Sequence, residues 1–319
     1  MLKQDTKVLI VTNMYPSGDN PTVGIFVKET LDELRTLGLD IEILHVRGGR
    51  APFKYAIGVF RLWWRLLRHR YDLIHAYYVY SGLVARMQPF CPVVVTLCGS
   101  DVNLPSQRRF SKWLSRRVSK TIVQTQKMKK LLGDETATIL PFGVNLSLFA
   151  PMPRELARSR LGLSTEARFA LFPYDPCRKG KRYDLFTAAV SNARQKEPRL
   201  GSLVLRNLPR EFVPLHMSAA DVMVLTSETE GSPTTIKEAL ACGLPIVSVD
   251  VGDVAELIAG VDGCWICDAT ENEIAEGVLK ALSFGRRTDG RGRALEMSSS
   301  VTALRLLALY EEVIQKPQV

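Results

Sequence analysis

Short apolar runs alternate with longer amphipathic segments along the first half of the chain. The runs predict strands at Val8–Thr12, Ile41–Val46, Leu73–Ala76, Val93–Leu97, Thr121–Gln124 and Thr138–Leu140. Between them, apolar residues at helical spacing predict helices at Phe26–Leu37, Tyr55–His69 and Ser106–Val118. Because strands that alternate with helices need crossover connections, the pattern predicts a parallel, doubly wound α/β sheet.

A second series of the same kind follows a break that is rich in proline, Pro141 to Pro153. Its predicted strands are Phe169–Pro173, Leu203–Leu205, Val222–Thr226 and Ile246–Val249, and Val301 to Ile314 has the pattern of a closing helix. We therefore expect two Rossmann-like domains, residues 1–150 and 151–293, followed by a terminal helical segment, residues 294–319.

Composition limits the class of protein. The chain has 319 residues, of which 46% are hydrophobic, which is enough for two ordinary cores. We find no apolar run of the roughly 20 residues that a membrane span needs, and the first residues lack the apolar core of a signal peptide. The six scattered cysteines suit a reducing compartment, so we expect a cytoplasmic protein. Cys264 and Cys267 lie on a predicted strand that points them to opposite faces, so we interpret them as structural.

Charge is distributed unevenly. Residues 1–150 contain 21 Lys and Arg against 11 Asp and Glu, whereas the rest of the chain contains 21 against 22. This asymmetry indicates a basic surface that faces phosphate, nucleic acid or an anionic membrane. Nucleic acid is disfavoured because no known reading motif accompanies the charge.

Residues 53–70 are cationic and rich in aromatic residues. As a helix, this segment would have an apolar face at Ile57, Phe60, Trp64 and Leu67 beside several arginines. Two interpretations remain open: the face binds an anionic leaflet, or it packs on the sheet and leaves the arginines in solvent.

The most informative segment is bounded by two glutamates, Glu230 and Glu238. It lies between two buried apolar runs, so its turn should be at the carboxyl edge of a parallel sheet, where such folds bind ligands. The backbone N–H groups from Gly231 to Thr235 should lack partners within the helix, so they can face an anion or a hydroxyl. Each carboxylate can accept hydrogen bonds from a polyol. The alternative is that both are solvated surface residues.

A basic turn, Arg178 to Arg182, follows the first strand of the second series and can supply positive charge to a diphosphate. We see no Asp-X-Asp element that would hold a divalent metal. In the first half, Gly99, Ser100 and Asp101 follow a strand end, where Asp101 can bind a hydroxyl or transfer a proton. His75 is also expected at a strand end.

Taken together, these segments resemble the retaining glycosyltransferases of family 4. The resemblance rests on Glu230 and Glu238 with the run Ala239–Pro245, and on matches in order at Asn13–Pro16, Gly24, Tyr71–His75, Val94–Asp101, Leu140–Asn145, Arg178–Lys181 and Gly252. It covers most of the chain, and the segment with the two glutamates is its most specific part.

The resemblance implies a GT-B fold, in which two Rossmann-like domains face each other across a cleft. Residues 1–150 would bind the acceptor, residues 151–293 the nucleotide sugar, and the terminal helix would return to the first domain. Gly24 would let the backbone approach the diphosphate. Lys181 matches the family's lysine, and Arg178 takes the place of its arginine, because the usual spacing leads to Pro176.

The donor site would then comprise Gly24, Arg178, Lys181, Glu230, Gly231, Ser232, Pro233, Thr234 and Glu238. Catalytic roles would belong to Arg178, Lys181, Glu230 and Asp101, and acceptor contacts to Asp101, Cys98 and His75. Family members often have a histidine where this chain has Cys98, and a thiol cannot replace its hydrogen bonds to a sugar.

We therefore expect a retaining glycosyltransferase that moves a sugar from a UDP- or GDP-linked donor to a lipid-linked or glycan acceptor of the cell-envelope type. We expect it to need no metal and to work in the cytoplasm, at the inner face of the plasma membrane. Two alternatives remain: a nucleotide-sugar epimerase of the same fold and a non-enzymatic sugar-binding relative.

Overall fold

The computed structural model describes residues 6–16, 23–46, 53–206 and 208–315. The chain divides into two compact units. The first consists of Met1–Phe142 together with Ser299–Val319, and the second is Gly143–Ser298.

The first unit alternates strands and helices. In chain order they are β1 (Lys7–Thr12), α1 (Ile25–Thr36), β2 (Asp40–His45), α2 (Phe53–Arg68), β3 (Leu73–Tyr77), α3 (Val79–Arg86), β4 (Val93–Thr96), α4 (Ser100–Asn103), α5 (Pro105–Ser115), β5 (Lys120–Val123), α6 (Gln126–Leu132) and β6 (Thr138–Ile139). Within the described residues, these strands form one parallel sheet in the order β2-β1-β3-β4-β5-β6.

Strand β1 explains why this sheet is covered on both faces. Leu9 and Val11 belong to one hydrophobic cluster, whereas Val8 and Ile10 belong to another. Successive side chains of a strand point to opposite faces, so a continuous apolar run requires helices on both sides.

The final helix, α14 (Ser299–Gln315), belongs to the first unit. It packs against α1, and the hydroxyl of Ser299 donates a hydrogen bond of 2.8 Å to Glu33. Tyr310 is fully buried in the cluster that also contains Leu31 and Leu34 of α1. Its hydroxyl lies 2.5 Å from Nδ1 of His75.

The second unit has the same layered build. In chain order its elements are α7 (Arg154–Leu161), β7 (Arg168–Phe172), α8 (Tyr183–Arg194), β8 (Leu200–Val204), α9 (Val213–Ala219), β9 (Val222–Leu225), α10 (Thr234–Ala241), β10 (Ile246–Val249), α11 (Val254–Ile258), β11 (Cys264–Cys267), α12 (Glu271–Phe284) and α13 (Arg291–Leu295). Within the described residues, its strands form a parallel sheet in the order β11-β10-β9-β7-β8.

The division between the units differs from the expected boundary at residue 150. Phe142 is buried in a core cluster of the first unit, whereas Val144 and Phe149 are buried in the core of the second. The proline-rich segment is therefore not a free linker, because its apolar residues are divided between two cores.

Replacing Tyr310 by Ala should destabilise the first unit by about 3–5 kcal/mol, because it leaves a cavity and removes a partner of His75. Tyr310→Phe, which removes only the hydroxyl, should cost about 1 kcal/mol. Leu304→Ala, on an exposed position of the same helix, is the control and should be nearly neutral. Urea unfolding of the four proteins measures these differences, and a Tyr310→Ala protein as stable as the control would contradict the packing described.

Candidate functional site

The candidate site lies at the carboxyl edge of the second sheet. β7 and β9 are parallel neighbours, so the segments that follow Phe172 and Leu225 leave the sheet side by side. The first of these segments carries Tyr174, and the second carries Glu230 and leads into α10. This is the edge at which open α/β sheets bind ligands.

Two side chains, those of Lys181 and Tyr174, meet at the carboxylate of Glu230. The ammonium group of Lys181 forms an ion pair with its Oε1. The hydroxyl of Tyr174 donates a 2.8 Å hydrogen bond to the same oxygen and lies 3.1 Å from Oγ1 of Thr235 in α10. Lys181 is located in a short 3₁₀ turn, Lys179–Lys181, between β7 and α8. We call Tyr174, Lys181 and Glu230 the Glu230 cluster.

Two cations of the basic turn lie close to the aromatic ring of Tyr174. The Lys181 ammonium lies 3.9 Å from the ring centroid, and the guanidinium of the exposed Arg178 lies 5.5 Å from it. Attraction between a cation and an aromatic ring favours the position of both charges near Tyr174. Arg178, Lys181 and Glu230 are thus brought together, as the sequence predicts, by a tyrosine that the sequence analysis missed.

Burial determines the electrostatics of the Glu230 cluster. It lowers the pKa of Lys181, and the charge of Glu230 opposes that shift. Burial and the same carboxylate raise the pKa of Tyr174 well above its usual value. The phenol therefore stays protonated at neutral pH and remains a hydrogen-bond donor to Glu230.

The turn between Glu230 and α10 is held closely by the loop before α11. Gly252 has a φ of +66°, and a Cβ atom there would lie 2.3 Å from the carbonyl oxygen of Gly231. Helix α10 begins at Thr234, after the buried Ser232 and Pro233. Pro233, which precedes the helix, makes no side-chain hydrogen bond to the N-terminal end of α10. The first backbone N–H groups of α10 are therefore suited to bind an anion.

Glu238 has a different partner. It lies in α10 and its side chain is 2% exposed. Nη2 of Arg210 donates a 2.7 Å hydrogen bond to its Oε1. Since the Glu230 side chain is also only 11% exposed, neither glutamate is a solvated surface residue, and that alternative is wrong.

Lys237, the neighbour of Glu238 in sequence, is fully buried in α10. Burial lowers its pKa to about 8, and the charges of Asp253 and Glu238 oppose that shift. Residues 235–241 of α10 are all buried, so protein covers nearly every side of this helix, including the side that carries Lys237.

Gly24 is required by contacts within the first unit. It has a φ of +70° at the start of α1, and a Cβ atom would lie 2.4 Å from the backbone of Met14. Only glycine tolerates both the backbone conformation and this close approach. Its proximity to a diphosphate remains a prediction.

Two acceptor residues of the sequence analysis are used internally. His75 lies in the middle of β3 rather than at a strand end, and it is fully buried between Tyr310 and Thr96, whose Oγ1 is 2.8 Å from its Nε2. Asp101 is also fully buried and accepts hydrogen bonds from the N–H groups of Cys98 (3.0 Å) and Gly99 (2.9 Å). These contacts correct the expectation, because neither side chain faces solvent.

The loop that Asp101 holds has its own electrostatics. Burial raises the pKa of Asp101 to about 6, although its hydrogen bonds from backbone N–H groups oppose the shift. Burial raises the pKa of Cys98 well above its usual value, so this thiol is not a nucleophile at neutral pH. Within the part of the chain that the structure describes, no group of three or more His, Cys, Asp or Glu could hold a metal ion.

Comparison with protein families gives two matches. Residues 22–148 match the family model described as Glycosyltransferase Family 4, and residues 181–283 match that described as Glycosyl transferases group 1. The second match contains Lys181, Glu230 and Glu238. These matches confirm the resemblance on which the sequence analysis relied.

Three curated proteins illustrate the relationship. The putative teichuronic acid biosynthesis glycosyltransferase TuaC of Bacillus subtilis is 27% identical, over 86% of this chain and 88% of its own length. The D-inositol 3-phosphate glycosyltransferase of Thermobispora bispora is 25% identical, over 94% and 92%. The N,N'-diacetylbacillosaminyl-diphospho-undecaprenol alpha-1,3-N-acetylgalactosaminyltransferase of Campylobacter jejuni is 23% identical, over 81% and 74%.

Solved structures agree on the fold. The sucrose-phosphate synthase of Thermosynechococcus elongatus superposes with a TM-score of 0.79 at 17% identity, covering 98% of this chain and 99% of its own. Anabaena HepE, solved in complex with UDP and glucose, gives 0.75 at 17% identity, covering 96% and 100%. The chain has the GT-B fold, as the sequence analysis expected.

The buried His75 should make the first unit sensitive to acid. Its pKa is lowered to about 3 by burial, so its contribution to stability is complete above the unfolded pKa of about 6.5 and is lost as the pH falls toward 3. Between pH 7 and pH 5 this amounts to about 2 kcal/mol.

His75→Gln removes the titrating group, so its free energy of unfolding should fall by about 2 kcal/mol less than that of the wild type over this range. Urea titrations followed by tryptophan fluorescence measure the two slopes, since Trp63, Trp64 and Trp113 all lie in this unit. Equal slopes would contradict the neutral, buried state of His75.

Proposed function

Because the chain belongs to the group 1 glycosyltransferases of family 4, we propose that it transfers a sugar from a nucleotide diphosphate to an acceptor hydroxyl with retention at the anomeric carbon. The observation that carries this proposal is the Glu230 cluster beside the start of α10. It combines fixed cations, a buried carboxylate and a helix N-terminus within one unit.

Different groups of the site would bind different parts of the donor, according to charge. Arg178, Lys181 and the N–H groups near Thr234 suit the diphosphate, because they provide positive charge and hydrogen-bond donors. Glu230 and Glu238 suit hydroxyl groups of the transferred sugar and of the ribose, because an ionised carboxylate only accepts hydrogen bonds. Gly231, Ser232 and Pro233 shape the turn between them.

Lys181 can serve the diphosphate without leaving Glu230. An ammonium group has three N–H donors, and the ion pair with Glu230 uses one of them. The carboxylate and the Tyr174 ring then fix the position of the charge before the donor arrives. Preorganised charge of this kind does not need to reorient during the reaction.

In the proposed reaction the bond between the anomeric carbon and the diphosphate oxygen breaks as the acceptor oxygen bonds to the same face of that carbon. The hydroxyl proton passes to the departing diphosphate. Stabilising that leaving group is the main contribution of Arg178, Lys181 and the start of α10, and each such interaction is typically worth about 3–4 kcal/mol. This chemistry needs no carboxylate nucleophile, and we propose that it needs no metal.

The names of the relatives support an acceptor of the cell-envelope or glycan type. TuaC is named for teichuronic acid biosynthesis, and the Campylobacter enzyme is named for an acceptor on a diphospho-undecaprenol lipid. HepE was solved with UDP and glucose, which favours a UDP-linked over a GDP-linked donor here. We propose a lipid-linked or glycan acceptor, bound by the first unit.

Helix α2 supports a membrane location for that acceptor. Phe53 (63% exposed), Ile57 (51%), Phe60 (72%), Trp64 (48%) and Leu67 (78%) form one exposed stripe, which we call the α2 surface. The opposite side of the helix packs on the sheet, so the interpretation that the apolar face is buried is wrong. An exposed stripe of large apolar side chains marks a site of interaction.

The charges around the α2 surface favour an anionic bilayer as its partner. The Arg68 guanidinium lies 3.7 Å from the centroid of the Trp64 ring, and Arg61 of the same helix is also exposed. Exposed Met87 and Phe90 extend the apolar area, because Trp63 of α2 donates to the carbonyl of Met87 and contacts the Phe90 ring. Aromatic and cationic side chains on one face are typical of interfacial helices. Among the helices of the described residues, none has the length and apolarity required to cross a bilayer.

The epimerase alternative is weakened by the first unit. It would need groups there that move protons at a sugar, but Asp101 and His75 are fully buried. Asp101 binds backbone N–H groups and His75 binds Tyr310 and Thr96.

Lys181→Ala and Glu230→Gln should each lower kcat by at least about 100-fold, because each removes part of the charge that holds the donor and its leaving group. Lys179→Ala, an exposed lysine of the same turn, is the matched control for the lysine, and Glu228→Gln, an exposed glutamate of the same loop as Glu230, is that for the glutamate. Turnover is measured as nucleotide released from UDP- or GDP-sugars with polyprenyl-phosphate or glycan acceptors. Full activity of Lys181→Ala would disprove its role.

Replacing Phe60 and Trp64 by Ser should abolish binding to vesicles that contain phosphatidylglycerol, since both side chains belong to the exposed α2 surface. The control is Leu156→Ser, which alters an exposed apolar residue of the second unit. Sedimentation with anionic and with neutral vesicles measures the effect. Wild-type protein that stays in solution with both vesicle types would contradict the proposal.

A further inference from the structure

Arg210 lies outside the predicted site and contacts the carboxylate of Glu238, one of the two predicted site glutamates. It lies in a 3₁₀ turn, Arg210–Phe212, at the entry to α9. Its Nη2 is 2.7 Å from Oε1 of Glu238.

The guanidinium of Arg210 is held on two sides. It lies 4.5 Å from the ring centroid of the fully buried Phe149, so its plane is supported by an aromatic face. Its side chain is only 20% exposed. A guanidinium with an aromatic support and a carboxylate partner is limited to few rotamers, and it fixes the carboxylate in turn.

Other cations around this end of α10 are bound elsewhere. Arg291 donates to the carbonyls of Phe149 (2.9 Å) and Ala241 (2.8 Å). Arg287 donates to the carbonyls of Met217 and Ser218. Arg210 is therefore the guanidinium that this region directs at the carboxylate of Glu238.

The contact with Arg210 leaves acceptor positions on the carboxylate of Glu238. A carboxylate offers about four acceptor positions on its two oxygens, and Arg210 uses one of them on Oε1. Two neighbouring hydroxyls of a ribose could therefore be bound while the ion pair remains. A buried carboxylate without a partner would be costly, so the arginine also keeps an ionised acceptor in a nearly dry position.

We propose that Arg210 is a positioning residue for the nucleotide: it orients the ionised Glu238 so that the carboxylate accepts the two ribose hydroxyls of a nucleoside diphosphate. This inference rests on the proposed function, since it assumes that a nucleotide occupies the site. Arg210 itself makes no contact with the ligand and acts only through Glu238.

The experiment measures UDP and GDP binding by titration calorimetry, without sugar or acceptor. The variants are Arg210→Met, which keeps the apolar stem, Arg210→Lys, Glu238→Gln and the double variant Arg210→Met/Glu238→Gln. The matched control is Arg286→Ala, an exposed arginine that pairs with Asp262 in the same unit. Thermal midpoints of all variants report on folding.

Arg210→Met should weaken the Kd of the nucleotide by roughly 10- to 100-fold, the usual effect of losing one hydrogen bond to a charged group. Arg210→Lys should recover part of the affinity, and Arg286→Ala should bind like the wild type. The double variant should bind no more weakly than Glu238→Gln alone, because the arginine acts through that carboxylate. A 2′,3′-dideoxy nucleotide, which lacks both hydroxyls, should bind equally to wild type and Arg210→Met.

Each contrary outcome has a distinct meaning. Wild-type protein that binds neither UDP nor GDP would overturn the proposed function itself. Nucleotide binding that is unchanged or tighter in a folded Arg210→Met protein would overturn only the positioning role. An equal loss for the normal and the dideoxy nucleotide would show that Arg210 supports the fold and not the ribose site. Should Arg210→Met fail to fold, the Arg210→Lys comparison of the same two nucleotides decides the question.

Discussion

The candidate site depends on one interaction, the ion pair between Lys181 and Glu230, which Tyr174 contacts on both sides of the pair. Taking two opposite charges out of water is costly unless each finds further partners. Here Tyr174 is a further partner of both charges, because its hydroxyl donates a hydrogen bond to the Glu230 carboxylate and its ring lies 3.9 Å from the Lys181 ammonium. The segments after β7 and β9 are thereby fixed to each other, and the start of α10 is held through Thr235. These contacts fix the geometry of the Glu230 cluster without a ligand.

The parallel sheet explains why a few side-chain contacts are enough to assemble the Glu230 cluster. Because β7 and β9 are neighbouring parallel strands, the segments that follow them place Tyr174 and Glu230 at the same edge of the sheet. The loop before α11 arrives at that edge from the next strand, and Gly252 lets it touch the backbone of Gly231. Topology therefore places the segments, and a glycine and an aromatic ring determine how closely they pack.

Sequence patterns predicted the strands and the long helices, because periodicity is a local property. The union of Arg178, Lys181 and Glu230 was instead predicted from the resemblance to a known family, since Glu230 is far from the other two in sequence. Tyr174 was missed although it follows a strand end, since an aromatic residue at such a position usually belongs to a core. Arg210 was missed because its pairing with Glu238 joins residues far apart in sequence. His75 and Asp101 were misplaced for a related reason: strand ends are known only to within a residue or two, and one residue decides whether a side chain faces the core.

The two units use charge in opposite ways, and this contrast supports a division of labour. In the second unit the charges that matter are buried and paired: Glu230 with Lys181, Glu238 with Arg210, and Lys237 close to Asp253. Such charges can bind a small polar ligand in a specific orientation, because little water competes with them. In the first unit exposed cations include Arg61 and Arg68 of α2, and Arg68 lies over the exposed ring of Trp64. Exposed charges of that kind attract an extended anionic surface without fixing any single group, which suits a bilayer better than a nucleotide.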